Sequence, residues 1–277
     1  VRKVALVTGA TRGIGKAAAI EAARRGFAVA VTGRTRREGE GRLGDANLGN
    51  IVAVPGSIET TVREIEALGG EAFGIELDIG SRASIDATID AVLHRWGRLD
   101  GLFNNAMYQS PYAMSPIAAI NADIAEVAMR SMFINHLHIT QRALEPMLNQ
   151  GAGRIVFISS GAGVTLCELK LDQGGWGMLY GAGKAAFSKL AEFIDLEYRD
   201  QGIATFHIQP GLTITEAMLA QYGDAAKDFG GGQPVYTPEE TGRTVAWMLD
   251  APTAPTYAGP TMHFAPTFFA DNDIEFG

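Results

Sequence analysis

A single cysteine, Cys167, excludes any disulfide within the chain, and a reducing compartment is expected. No CxxC pair and no cysteine/histidine cluster with zinc-ligand spacing occurs. The five histidines, His94, His136, His138, His207 and His263, are scattered through helical and strand patterns, so they read as structural and no metal site is expected. No apolar run reaches the ~18 residues of a membrane span. The opening VRKVALVTGA turns into glycine before the apolar region of a signal peptide could build up. Basic residues are in the minority: 23 Lys and Arg against 31 Asp and Glu leave a net charge of −8. That disfavours nucleic acid and anionic membranes, whose phosphates need a basic face. These exclusions predict a soluble, cytoplasmic protein that handles a small molecule.

What is present is a large apolar fraction, 47% of 277 residues, and as many as 34 glycines. Short β-rich runs alternate with helical patterns along the whole length, as in a parallel sheet covered on both faces. The strand candidates are VALVT, FAVAVT, AFGIEL, LDGLFN, RIVFIS, ATFHIQ and TMHFA. Helical windows between them include IGKAAAIEAARR, IETTVREIEAL, ASIDATIDAVLHRW and the long ADIAEVAMRSMFINHLHITQRALEPML. The fold class is α/β: residues 1–277 form a single Rossmann-like, doubly wound domain with a seven-stranded parallel sheet flanked by helices. Function then belongs in the loops beyond the carboxyl ends of the strands. Glycine-rich, charged residues 36–56 form an inserted surface loop or a binding element.

The stretch VALVTGATRGIG runs from a strand through glycines into a helix. Gly9, Gly13 and Gly15, with Thr11, Arg12 and Ile14 between them, allow a tight turn and let pyrophosphate oxygens meet amides at a helix N-terminus. Where NAD-binding chains place an acid after the second strand, this one has Arg34, with Arg36 and Arg37 just beyond. Guanidinium groups pair with phosphate oxygens, so NADP, with NADPH over NADH, is the expected cofactor; the alternative is a solvated basic loop.

In YGAGK, Tyr180 and Lys184 stand four residues apart on one helix face, with only small residues between. A cation at roughly 4–6 Å contributes about 3–4 kcal/mol at an effective dielectric near 20. That would bring a phenol from its usual pKa near 10 towards working pH, where proton transfer is most effective.

In chain order, TGxxxGIG, the NNA of Asn104–Ala106, Asn135, the ISS ending at Ser160, YxxxK, and the PG of Pro210 and Gly211 together resemble the short-chain dehydrogenases/reductases. The resemblance covers most of the chain. It implies that Ser160 polarises a substrate carbonyl, that Tyr180 exchanges the proton, that Lys184 tunes it, and that Asn135 holds a water against the lysine. Asn135 could instead bond to neighbouring backbone, and Ser159 is the neighbour that could be confused with Ser160. The resemblance also implies cofactor contacts from Asp78 and Ile79, Asn105 and Ala106, Pro210 and Gly211, and Thr213 and Thr215. Asp78 would meet the adenine amino group, unless it is only a helix N-terminal acid. Thr215 would steady the nicotinamide carboxamide.

Two departures stand out. Met107 occupies a position that is usually glycine in the family, and the stretch from Ser160 to Tyr180 is longer than usual. Trp176, Met178 and Leu179 in that stretch are candidates for an apolar substrate wall. Residues 212–235 match the family's substrate lid. The implied activity is NADP(H)-dependent interconversion of a ketone and a secondary alcohol on a rather apolar small molecule. An NADPH-dependent enoyl reductase and a non-catalytic NADP(H)-binding regulator are the alternatives; a regulator would be expected to have lost the tyrosine or the lysine. Apolar residues on more than one side of the long helix fit a face that meets another subunit; the resemblance implies a homotetramer, or a homodimer, with a monomer as the alternative.

Overall fold

Seven apolar runs become seven strands of one sheet in the computed structural model, which describes residues 2–44, 50–107, 112–228 and 233–275. They are β1 Val4–Val7, β2 Ala28–Gly33, β3 Glu71–Glu76, β4 Gly101–Asn104, β5 Gly153–Ile158, β6 Ile203–Gln209 and β7 Met262–Phe264. Their spatial order is β7-β6-β5-β4-β1-β2-β3, and every pairing is parallel. The chain winds outward from β1 to β2 and β3, then returns to β4 on the other side. The loops after β1 and β4 therefore part at a topological switch point, where such sheets take their ligands.

The helices between strands are α1 Gly13–Arg24, α2 Ile58–Ala67, α3 Arg82–Trp96, α4 Ala122–Met129, α5 Asn135–Gln150, α6 Met178–Tyr198, α7 Glu216–Tyr222 and α8 Pro238–Asp250. Side-chain alternation along β1 sets the two core layers. Ala5 and Val7 face the layer of α1 and α8, whereas Val4 and Leu6 face that of α3, α5 and α6. α1 and α8 touch backbone to backbone: a Cβ on Gly242 would stand 2.8 Å from the Ala17 carbonyl carbon. The alanine-rich run of α1 makes that approach possible.

The long helical window 122–148 is not one helix. A π-helical turn, Arg130–Ile134, separates α4 from α5. Such turns interrupt the regular ladder and recur at functional sites; here it delivers Asn135 to the first position of α5.

Residues 45–49 of the expected insertion 36–56, and 229–232 of the lid segment 212–235, lie outside the described residues. The rest of the insertion includes a short antiparallel ladder, Arg42–Leu43 with Val52–Ala53. The lid segment contains Leu212–Thr213, paired in parallel with Val235–Tyr236, and α7.

Candidate active site

The loop after β1 is tied to the loop after β4 by one buried hydroxyl. Thr8 Oγ1 donates to the Phe103 carbonyl and accepts from the amides of Asn105 and Ala106, all at 2.9 Å. Asn105 Nδ2 returns a bond to the Thr8 carbonyl at 2.8 Å. Asn105 and Ala106 thus brace the glycine loop, and Thr8 does more than the sequence reading assigned it. Its signal was a hydroxyl at the end of a fully buried strand, where a polar group must find partners.

Gly9 and Gly13 have φ of +69° and +53°, a region that disfavours side chains. The glycines do different work. A Cβ on Gly15 would lie 2.2 Å from the Gly9 carbonyl oxygen, so its bareness serves the loop's own turn. Gly13 faces the lid: its N–H donates to Glu216 Oε2 at 2.9 Å. Thr11 is buried beneath Gly33 at the end of β2, and Ile14 packs against the α1 layer.

The arginines are differently engaged. Arg12 donates to the Pro55 carbonyl (2.7 Å), the Gly56 carbonyl (3.0 Å) and Thr35 Oγ1 (3.1 Å), clasping the inserted segment. Its burial pulls the guanidinium pKa down, and the charges of Glu216 and Glu38 oppose that. Arg36 and Arg37 approach Glu59. Arg34 is exposed at the end of β2, forms no ion pair among the described residues, and lies close enough to Arg12 for mutual repulsion.

Ser160, Tyr180 and Lys184 come together at the carboxyl edge of β5. Ser160 Oγ accepts the Ala162 amide at 3.2 Å and lies close enough to the Tyr180 phenol to oppose the rise in its pKa. Ser159 points the other way: it is buried and bonds Ser188 Oγ at 2.6 Å, which in turn meets His207 Nε2 at 2.9 Å. The long stretch after Ser160 does not separate it from Tyr180.

Lys184 is buried, donates to the Ile158 carbonyl at 2.9 Å, and has its Nζ 6.0 Å from the Tyr180 ring centroid. Desolvation lowers its pKa to about 8. The phenol departs from the sequence expectation. Burial raises the Tyr180 pKa, with Ser160 pulling against it, and no lowering by Lys184 accompanies these effects. The ammonium is engaged with the Ile158 carbonyl, and burial governs the phenol. Tyr180 packs against the cluster of Ala128, Met132 and Leu179, which Met107, Ile120, Ile124 and Ala125 also join.

Asn135 is completely buried. Its Nδ2 donates to the Ile79 carbonyl at 2.6 Å, while Oδ1 has no protein partner. A buried acceptor without a partner is costly unless water supplies a bond. His136, read from sequence as structural, lines a water-sized cavity of ≈ 10 Å³ with Lys184, Met107 and Phe187. Its burial, and then the charge of Lys184, hold its pKa down to about 3, so it is neutral. Adjacency to Asn135 was the signal for it.

Of the proposed wall residues, Leu179 is buried in the cluster under Tyr180, Met178 is exposed and Trp176 is half-buried against Gly181. The Ser160–Tyr180 segment also exposes Val164, Leu166 and Leu169, Leu166 at 87%. Asp78 is exposed and accepts the Gly80 amide at 2.9 Å; Ser81, not Asp78, caps α3. Ile79 is buried beneath it. Gly211 has φ +64° and lies against the rings of Tyr236 and Phe264, while Thr213 donates to the Pro210 carbonyl at 2.9 Å. Thr215 Oγ1 accepts the Met218 amide and caps α7. Among the described residues no cluster of side chains could hold a metal ion, and no helix is long and apolar enough to cross a membrane.

The fold and its relatives define an NAD(P)-dependent oxidoreductase acting on CH–OH or C=O groups. More closely, the chain belongs to the short chain dehydrogenase family, whose model matches residues 3–50 and 42–225. It is 31% identical to a cyclohexanol dehydrogenase of Rhodococcus sp. (strain TK6) over 228 residues, 80% of each chain. It is 26% identical to a 3-oxoacyl-[acyl-carrier-protein] reductase of Synechocystis sp. over 263 residues, 94% of each. Among solved structures, an actinorhodin polyketide ketoreductase variant with NADPH shares the fold at TM-score 0.74 and 24% identity, over 95% of each chain.

Proposed function

We propose that this protein interconverts a ketone and a secondary alcohol on a rather apolar small molecule, with NADP(H) as cofactor. The observation that carries the reading is the convergence of Ser160, Tyr180 and the buried Lys184, the last two one helical turn apart, at the carboxyl edge of the sheet.

The residues suit the cofactor. A carboxylate oxygen already sits on the Gly13 amide, so the α1 N-terminus accepts an oxyanion. Gly9, Thr11, Gly13, Ile14 and Gly15 would surround the pyrophosphate, with Asp78 and Ile79 at the adenine and Asn105, Ala106, Pro210, Gly211, Thr213 and Thr215 along the nicotinamide half. Arg34, exposed and without an ion pair among the described residues, would take a 2′-phosphate. When bound, the cofactor supplies or accepts the hydride.

Ser160 donates to the substrate oxygen as negative charge gathers on it. Tyr180, kept protonated at neutral pH by its raised pKa, gives that oxygen a proton in the reductive direction. Lys184 keeps positive charge below the phenol up to about pH 8, its own pKa. Asn135 Oδ1 holds the water that resupplies the proton. The apolar residues round Tyr180 and the exposed Val164, Leu166 and Met178 favour a substrate with hydrocarbon surface, in keeping with the cyclohexanol and polyketide named for its relatives. We place the protein in the cytoplasm as a homotetramer or homodimer; Phe193 and Leu196 leave an apolar strip open on α6.

The test is Tyr180→Phe. Turnover of a ketone and alcohol panel, followed at the nicotinamide absorbance, should fall at least about 10²–10⁴-fold, while the Kd for NADPH stays unchanged. Full activity in the variant would remove the assignment.

A further inference from the structure

Glu216 opens α7 with its carboxylate at the start of α1, on the Gly13 amide at 2.9 Å. First-turn amides have no partner within their own helix, and the positive end of the helix favours an anion there. Arg12 adds its field to the same carboxylate. Thr215 lies against the same glycine: its methyl carbon is 3.0 Å from where a Cβ on Gly13 would stand, and its hydroxyl is engaged with the Met218 amide. α7 also rests on the Val52–Ala53 strand of the insertion. The start of α7 is therefore held against the glycine loop and the helix against the insertion, with the hydroxyl expected to hold a carboxamide used internally. A cofactor oxyanion and the Glu216 carboxylate need the same N–H donor, and two anions do not share it.

We propose that Glu216 is a latch, which holds α7 on the glycine loop in the cofactor-free protein and is expelled by the diphosphate of the incoming dinucleotide. The proposal rests on the cofactor reading above. Expulsion frees Thr215 and α7 to rearrange. Glu216 thereby sets cofactor affinity by competition and takes no part in the chemistry. The effect is common to NADP and NAD, because both carry the diphosphate.

The experiment is a titration of wild type, Glu216→Gln and Glu216→Ala with NADPH and NADH, joined to hydrogen exchange at Gly13 and residues 216–222. Both variants should bind both dinucleotides about fivefold more tightly, the scale of a carboxylate at a helix terminus. The Gly13 amide should lose protection in Glu216→Ala, and NADPH should change exchange in α7 of the wild type. Equal Kd values across the three proteins, with α7 protection unchanged by NADPH, would overturn the latch and leave the cofactor reading standing. If none of the three binds either dinucleotide, the cofactor reading fails and takes the latch with it.

Discussion

Replacing Lys184 with Met would expose how much the fold suffers from a buried ammonium. Lys184 is 8% exposed, and its pKa falls from 10.5 to about 8 through desolvation. Between those two values the unfolded chain binds more protons than the folded one, so this group's contribution to stability rises with pH. Below about pH 8 the penalty is present in full, and it is relieved as the ammonium loses its proton within the fold. Linkage with a folded pKa of about 8 gives a relative gain of about 2 kcal/mol between about pH 7 and about pH 9.5. Urea unfolding of wild type and Lys184→Met at those two pH values isolates the effect, because every other titrating group is common to both proteins. Wild type should gain about 2 kcal/mol on the variant as pH rises. Parallel changes in the two proteins would refute the claim that burial governs the lysine's charge.

Arg34→Ala should weaken NADPH binding by about 10- to 10²-fold and leave NADH nearly unchanged, since a charge-assisted contact to phosphate contributes about 1.5–3 kcal/mol; fluorescence titration with both dinucleotides reads this directly. The two neighbouring serines should part company. Ser160→Ala should lower kcat by about 10²-fold or more with only a small loss of stability, that of the bond from the Ala162 amide. Ser159→Ala should retain kcat but destabilise the protein by about 1–3 kcal/mol, because Ser188 loses a buried partner.

The strands were legible because a parallel sheet buried on both faces must be written as uninterrupted apolar runs, as in the fully buried VALV of β1. The glycine loop was legible because positive φ at Gly9 and Gly13 restricts the residue type. The π turn at Arg130–Ile134 was hidden, since the helical period continues through it and the extra residue shows only in the hydrogen-bond ladder. The direction of the Tyr180 pKa was hidden for another reason. Four residues of spacing give the lysine's charge, but desolvation sums neighbours from α4, the π turn and the loop after β4. Glu216 on Gly13 joins residues 203 positions apart, beyond the reach of any local pattern.

Arg12 clasps the carbonyls of Pro55 and Gly56, so the excursion between β2 and α2 is fastened to the nucleotide loop by its own backbone. Trimming or exchanging that excursion would release a guanidinium into the cleft. A chimera with a shorter relative would thus acquire a new taste in anions, although no residue of the TGxxxGIG turn had been altered.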